Sequence, residues 1–336
     1  MNKVYAHPGQ PQMQVEVILA SRHADMPEEK PLYTVRMRYP RPIHGEIMTH
    51  RVFGRNARSS RAVPVKTMLN EVRSIPYVPW HWGKNQKGMQ AAEECDEPVY
   101  CQKVLMPLNG YAYGHSDDWK DTIIETTGIT REDAWLVAAS RAADMAEAFM
   151  EAGYHKQNPN RLLEPFSWID TLITANRWDN FLWLRDHKDA EPHLQDLAQL
   201  VMVAMEEAEI QKLASGEWHL PYITDEDFEA AYDEYFLTSA TKEWDRFLCK
   251  ISAARCARIS YKPFDGDASY EKELARYDQL VNSDRVHASP LEHQANPDRI
   301  DPDYPNCNQW ENPSLHGNLP GWIQARKLVS NEVHNG

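Results

Sequence analysis

Between Ile47 and Asn70 the chain carries Arg51, Arg55, Arg58, Arg61 and Lys66, and not one Asp or Glu. Asn56, Ser59 and Ser60 lie among them. Guanidinium forks and hydroxyls hold phosphate by charge-assisted hydrogen bonds. The same pattern also suits a solvated basic helix face or a subunit contact. Two more arginines stand in apolar runs: Arg161 opens Arg161-Leu162-Leu163-Glu164-Pro165, and Arg185 ends Asn180-Phe181-Leu182-Trp183-Leu184-Arg185. An unpaired guanidinium is costly to bury, so each calls for an anionic ligand or a structural ion pair, with Asp179 or Glu164 as the nearest partners. His287 and His293 flank Pro290, but their spacing and number fit no usual zinc pattern. No metal is expected.

Other chemistries are poorly supplied. The five cysteines include no Cys-x-x-Cys pair, which argues against a disulfide framework and a Cys-rich zinc site. His44-Gly45-Glu46 matches the His-x-Glu element of zinc nucleotide deaminases, yet the Pro-Cys-x-x-Cys partner is missing. There is no Gly-x-Ser-x-Gly elbow. A single-strand binding module would interleave aromatic residues with the arginines of the patch, and this one does not.

The 336 residues allow one large domain or two small ones. Lys+Arg is 36 against 50 Asp+Glu, a net charge of −14, so no global basic field for nucleic acid exists. No apolar run reaches membrane-spanning length, and the start, Met1-Asn2-Lys3-Val4, lacks an apolar signal core. The expectation is a soluble, cytoplasmic protein with no membrane partner and no stable nucleic-acid partner.

Several elements must position these residues. Residues 13–20 and 32–39 alternate as strands; in the second, Tyr33, Val35, Met37 and Tyr39 share one face, Arg36 and Arg38 the other. Residues 43–51 read as helical, and Pro64 opens a helix through Val72. The stretch 76–128, rich in Trp, Tyr and Gly, reads as an insertion of low secondary-structure content. Thr130 with Asp133 resembles a capping box. Behind it Trp135, Leu136, Ala139, Ala142, Met145, Ala146 and Phe149 form an apolar stripe that ends at Gly153. Helical patterns return at 165–175, 189–212, 225–236, 240–258 and 268–282. From Asn296 to Pro320 the chain carries five prolines and reads as an extended surface wrap. The expected fold is α+β, a mixed or antiparallel sheet with flanking long helices. Residues 1–295 would form a single catalytic domain and 296–336 a C-terminal extension.

Three blocks together resemble the flavin-dependent thymidylate synthase family. Its signature is Arg-His-Arg, seven residues and Ser; here Thr49-His50-Arg51 precedes Asn56-Ala57-Arg58-Ser59-Ser60-Arg61 at identical spacing. Its second block resembles Arg161 to Pro165, Asn180 to Arg185, and Ala190-Glu191-Pro192-His193-Leu194. Its third resembles Ser252-Ala253-Ala254-Arg255-Cys256-Ala257-Arg258-Ile259-Ser260, then His287-Ala288-Ser289-Pro290-Leu291-Glu292-His293. In the usual family chain the third block comes first; here it comes last, as in a circular permutation. Such a rearrangement is tolerated where termini lie close together, so 250–295 should pack beside the strands at 13–40. The resemblance covers 31–66, 153–205 and 251–295.

The resemblance implies reductive methylation of dUMP at C5, with FAD, and with methylene-tetrahydrofolate and NADPH as co-substrates. Such carbon and hydride transfers need cofactors. It implies a homotetramer with shared active sites. A virus- or phage-encoded member, working in the host cytoplasm, is the expected type; such relatives also make hydroxymethyl or other C5 groups on dUMP or dCMP plausible products. Arg185 would stabilise charge on the pyrimidine, Arg161 would orient the nucleotide, and Ser59, Ser60 and Arg61 would hold its phosphate. His50, Arg51, Val52, Asn176, Asn180, Ser260 and Ser289 match flavin positions, and His287 would lie near the flavin ring. The chain departs from the family at Thr49 (for Arg), Glu46 (for a nucleotide-contacting Gln), Ala57 (for Glu), Glu191 (for Gln) and His193 (for Glu).

Overall fold

The computed structural model describes residues 2–88, 91, 93–104, 123–235, 241–260, 269–283, 285–303 and 309–333. Contacts divide the chain into two compact units, Met1–Val63 with Trp168–Gly336, and Pro64–Ser167.

The first unit opens with β1 (Val4–His7), β2 (Gln10–His23) and β3 (Leu32–Pro40), then a short helix α1 (His44–Ile47) and β4 (Gly54–Ala57). The second unit holds α2 (Val65–Ser74), β5 (Val99–Val104), β6 (Ile123–Ile129), α3 (Arg131–Glu151) and α4 (Gln157–Leu163). The chain returns to the first unit through β7 (Trp168–Ala175), α5 (Asp179–Arg185), α6 (Pro192–Glu206) and β8 (Gln211–Leu213). It finishes with α7 (Asp225–Tyr235), α8 (Thr241–Ala257), α9 (Tyr270–Val281), β9 (Ala295–Pro297) and β10 (Trp322–Gln324). This is a mixed α/β protein with antiparallel sheets and flanking helices. Among the described residues no helix is long and apolar enough to cross a membrane.

The main sheet has six strands, ordered β1-β2-β3-β7-β4 with β8 parallel to the far end of β2. All the other pairings in it are antiparallel. The strand β7 corrects the helix expected at 165–175. Every one of its eight residues is buried, and a strand covered on both faces shows no alternation to read. Its β-branched Ile169, Thr171, Ile173 and Thr174 suit the pleat instead.

On one face of the sheet, Val35, Met37 and Tyr39 are fully buried, as the alternation predicts. On the other, Arg36 and Arg38 converge on Asp170 at 3.3 and 2.9 Å, joined by Arg58 at 3.8 Å. Beside them on that face, Thr34 and Thr174 are cross-strand partners. His293 and Ala295, from the end of the segment expected to pack beside the strands, lie against this sheet. His293 Nδ1 lies 2.8 Å from Thr174 Oγ1, and Ala295 shares a core cluster with Leu32, Leu213, Leu319 and Trp322.

Those last two residues change the reading of the tail. Within the segment expected as an extended wrap, 296–320, Leu319 is a core residue, and directly after it β10 pairs antiparallel with β9 and buries Trp322. The apolar side chains between the prolines supply the burial.

In the second unit, Thr130 caps α3 by accepting from the Asp133 amide at 3.1 Å, and Gly153 follows the helix at φ +82°, both as expected. The apolar stripe is only partly covered: Ala139 and Ala146 are buried, whereas Leu136 and Met145 are exposed. The segment 76–128, read as low in secondary structure, contains the antiparallel pair β5–β6; residues 105–122 of it lie outside the described residues.

Candidate active site

The expected site residues are carried by short pieces whose placement depends on buried neighbours. Ile43 and Ile47 anchor α1 from below. The chain then turns through Met48 to Val52, with the His50 amide donating to Ile47 O at 3.2 Å. Phe53 is buried and begins the approach to β4. Its ring lies 4.7 Å from Trp178 and 5.5 Å from Phe181. Phe181 in turn meets His50 edge-on at 5.1 Å. This aromatic group fixes α5 against the turn and so delivers Arg185, in the last turn of α5, to His50.

Arg185 Nε donates to His50 Nε2 at 3.1 Å. Its Nη1 donates to Glu46 Oε2 at 3.1 Å, and Nη2 reaches Thr49 Oγ1 at 3.4 Å. Two positions where the chain departs from the motifs it resembles, 46 and 49, therefore both contact the guanidinium. Burial lowers the His50 pKa below the ordinary histidine value, and the nearby Arg185 and Arg55 charges add to this. A neutral ring accepting at Nε2 suits a positioning role for Arg185. The ion-pair partner suggested by sequence for Arg185, Asp179, is engaged elsewhere: it binds Lys30 at 2.8 Å, which holds its carboxyl below the usual carboxylate range.

The basic patch separates into two kinds of residue. Arg58 belongs to the buried Asp170 cluster, and Arg55 Nη1 donates to the His50 carbonyl at 2.9 Å. Arg51 and Arg61 are exposed, with no ion-pair partner among the described residues. Ser59 is exposed and accepts from the Arg61 amide at 3.3 Å, whereas Ser60 is buried.

Beside His50 the surface opens into a cavity of about 410 Å³. Met48, Arg51, Phe53 and Arg55 line one side, and Glu292 with four tail residues and Gly317 line the other. Glu292 ends the turn Ser289–Glu292. It reaches β4 because Gly54 leaves room: a Cβ there would stand 3.1 Å from Glu292 Cβ and 3.3 Å from Thr174 O. The Arg55 amide donates to Glu292 Oε2 at 3.2 Å.

Other expected residues are placed less decisively. Val52 is exposed, and its carbonyl accepts from Asn318 Nδ2 at 2.8 Å. Asn176 is buried, donates to Pro320 O at 2.7 Å, and leaves its Oδ1 without a partner. Asn180, His287 and Ser289 are exposed. Ser260 ends the turn after α8, and its side chain lies outside the described residues. Arg161 belongs to the second unit, exposed on α4.

Glu191 and His193, two further departures, act locally. Glu191 caps α6 by accepting from the Leu194 amide at 2.7 Å and contacts His193 Nδ1 at 2.6 Å. Sequence reasoning left Glu292 without a role and did not reach Asn318, Gln324, Arg326 or Lys327. The motif His287 to His293 held the signal for the first; the others lie in a stretch with no motif. Among the described residues no group of three or more His, Cys, Asp or Glu side chains could hold a metal.

The sequence matches no protein-family model and no curated protein. One solved structure with a similar chain is a UMP/dUMP methylase, PolB from Streptomyces cacaoi, bound with 5-Br UMP. The likeness covers 58% of this chain and 89% of that one, at 16% identity and a TM-score of 0.40. A likeness at that score does not define a family, and the functional reading rests on this chain's own residues.

Proposed function

We propose that the chain is a flavin-dependent enzyme that modifies C5 of a pyrimidine nucleotide, with reductive methylation of dUMP as the leading reaction. The observation that carries this reading is the Arg185–His50 contact. Two separate motif blocks, 135 positions apart, meet at 3.1 Å, and Met48 and Arg51, on either side of His50 in the chain, line a cleft. The residues fit a flavin dinucleotide: Arg51 and Arg55 line the cleft without a carboxylate side-chain partner among the described residues, next to Met48 and Phe53. When bound, FAD supplies the hydride, methylene-tetrahydrofolate the carbon and NADPH the reducing equivalents.

The chain's residues then have these roles. Arg185 is a permanent cation at the edge of the base, where negative charge develops as C5 becomes nucleophilic. His50, kept neutral, holds that guanidinium by its Nε2 lone pair. Ser59, Ser60 and Arg61 grip the nucleotide phosphate. Arg51, Val52, Asn176, Asn180, Ser260 and Ser289 hold the flavin, with His287 near its ring. The permuted motif order and a homotetramer with shared sites belong to the same proposal.

The Glu46–Arg185 pair favours a second reading. A carboxylate at the base-facing arginine accepts a hydrogen bond from the cytosine 4-amino group, and it offsets the cation that a uracil carbonyl would use. This supports dCMP as substrate, with a methyl or hydroxymethyl group installed. Incubation with labelled methylene-tetrahydrofolate, FAD, NADPH and either dUMP or dCMP, followed by product mass, separates the two. Absence of a modified nucleotide from both, with no flavin taken up, overturns the proposal.

A further inference from the structure

The tail lies outside every motif block, yet it forms half of the cleft. Asn318 Nδ2 donates to Val52 O at 2.8 Å. Gln324 Nε2 donates to Glu292 O at 3.1 Å and to Asn318 Oδ1 at 2.8 Å. Gly317, at φ +57°, makes the turn that allows this, since a Cβ there would collide with Gln324 Oε1. Arg326 Nη1 donates to Glu292 Oε1, the carboxylate oxygen that the Arg55 amide does not use. Glu292 thus ties the tail to β4.

This wall brings Arg326 and Lys327 into the cavity that Arg51 and Arg55 line from the other side. Four cations face two carboxylates, Glu292 and Glu332. Glu332 holds both tail cations, at 2.8 Å from Arg326 Nε and 2.6 Å from Lys327 Nζ. The excess of two positive charges matches a diphosphate diester, and Arg forks bind phosphoryl oxygens bidentately. The volume, about 410 Å³, suits part of a nucleotide-sized ligand. Met48 and Phe53 add apolar lining, so the cleft suits a ring joined to a diphosphate.

We infer that the C-terminal tail is the second wall of a diphosphate-binding cleft, in which Arg326 and Lys327 bind the phosphoryl groups and Glu332 occupies them until the ligand arrives. The identity of the ligand as FAD rests on the proposed function; its charge does not.

The test is titration of the full chain at low salt with FAD, inorganic pyrophosphate and riboflavin. The R326Q/K327Q variant should bind FAD and pyrophosphate at least about tenfold more weakly. E332Q should bind both several-fold more tightly, because it frees the cations without touching the cleft lining. Riboflavin, which lacks phosphate, should respond to neither change. Equal FAD and pyrophosphate affinities in all three proteins overturn the inference. So does weaker binding in E332Q, which would mark the Glu332 contacts as a structural lock. A wild-type chain that binds neither FAD nor pyrophosphate also overturns it. If pyrophosphate follows the expected pattern and FAD does not bind, the cleft stands and the flavin reading falls. If FAD binds all variants alike, the flavin reading stands and the tail has no part in it.

Discussion

The hydroxyls of Thr34 and Thr174 stand 2.6 Å apart across the β3–β7 pair, and each also touches a histidine. His219 Nε2 lies 2.8 Å from Thr34 Oγ1, and its Nδ1 lies 2.7 Å from Ser21 Oγ. His293 lies on the other side, at Thr174. The result is a buried polar chain from β2 through β3 to β7, ending at the residue next to Glu292. It couples the sheet to the loop that shapes the cleft.

That chain makes stability depend on pH. Burial pushes both His219 and His293 down to about 3, with mutual repulsion adding to the shift of His219. The unfolded chain protonates these histidines near their ordinary value and the folded chain does not. Protons therefore favour unfolding, and stability is lost as pH falls from about 6.5 toward 3. Each histidine should contribute about 1.4 kcal/mol per pH unit in that window. Urea unfolding of wild type and H219Q between pH 5 and 7.5 checks this: the variant should show the shallower decline, and parallel curves would refute the assignment.

Arg185→Ala should lower turnover on the order of 100-fold or more while flavin stays bound, since it acts on charge developing in the substrate. Near-normal single-turnover rates in that variant would remove Arg185 from the chemistry.

Glu46→Gln should raise the ratio of kcat/KM for dUMP over dCMP by about tenfold, because it removes a carboxylate acceptor and frees the guanidinium for a carbonyl oxygen. A ratio that stays the same, or moves the other way, shows that the Glu46–Arg185 pair does not read the base.

Arg58 and Arg61 are three residues apart but should behave as opposites. Arg58→Ala leaves the buried Asp170 with one fewer cation, Arg36 and Arg38 still pairing it, and should destabilise the fold by about 1 kcal/mol, with nucleotide affinity unchanged. Arg61→Ala should leave the urea midpoint within error and weaken dUMP binding about tenfold or more. Calorimetric titration with unfolding curves on both variants separates the roles, and a swapped pattern would reverse them.

Gly54→Ala should destabilise the first unit by about 1–3 kcal/mol, because the new methyl group meets the Glu292 and Thr174 backbone as well as Glu292 Cβ. An unchanged thermal midpoint would show that the loop yields freely.

Local chemistry was legible in the residues themselves. The Thr130 cap, the alternation of β3 and the grouping of Arg51, Arg55 and Arg61 need only neighbours in the chain, because capping and pleating are short-range effects. The strand β7 was not legible, since burial on both faces erases the period that distinguishes strand from helix. Nor was the fate of Arg58, which depends on Asp170 lying on a strand more than a hundred residues away. The motif blocks pointed to Arg185 and His50, but only the packing of Phe53, Trp178 and Phe181 brings their side chains together. The tail carries no motif at all. Its place in the cleft comes from Leu319 and Trp322 entering the core, and burial of apolar surface depends on what the rest of the chain leaves open.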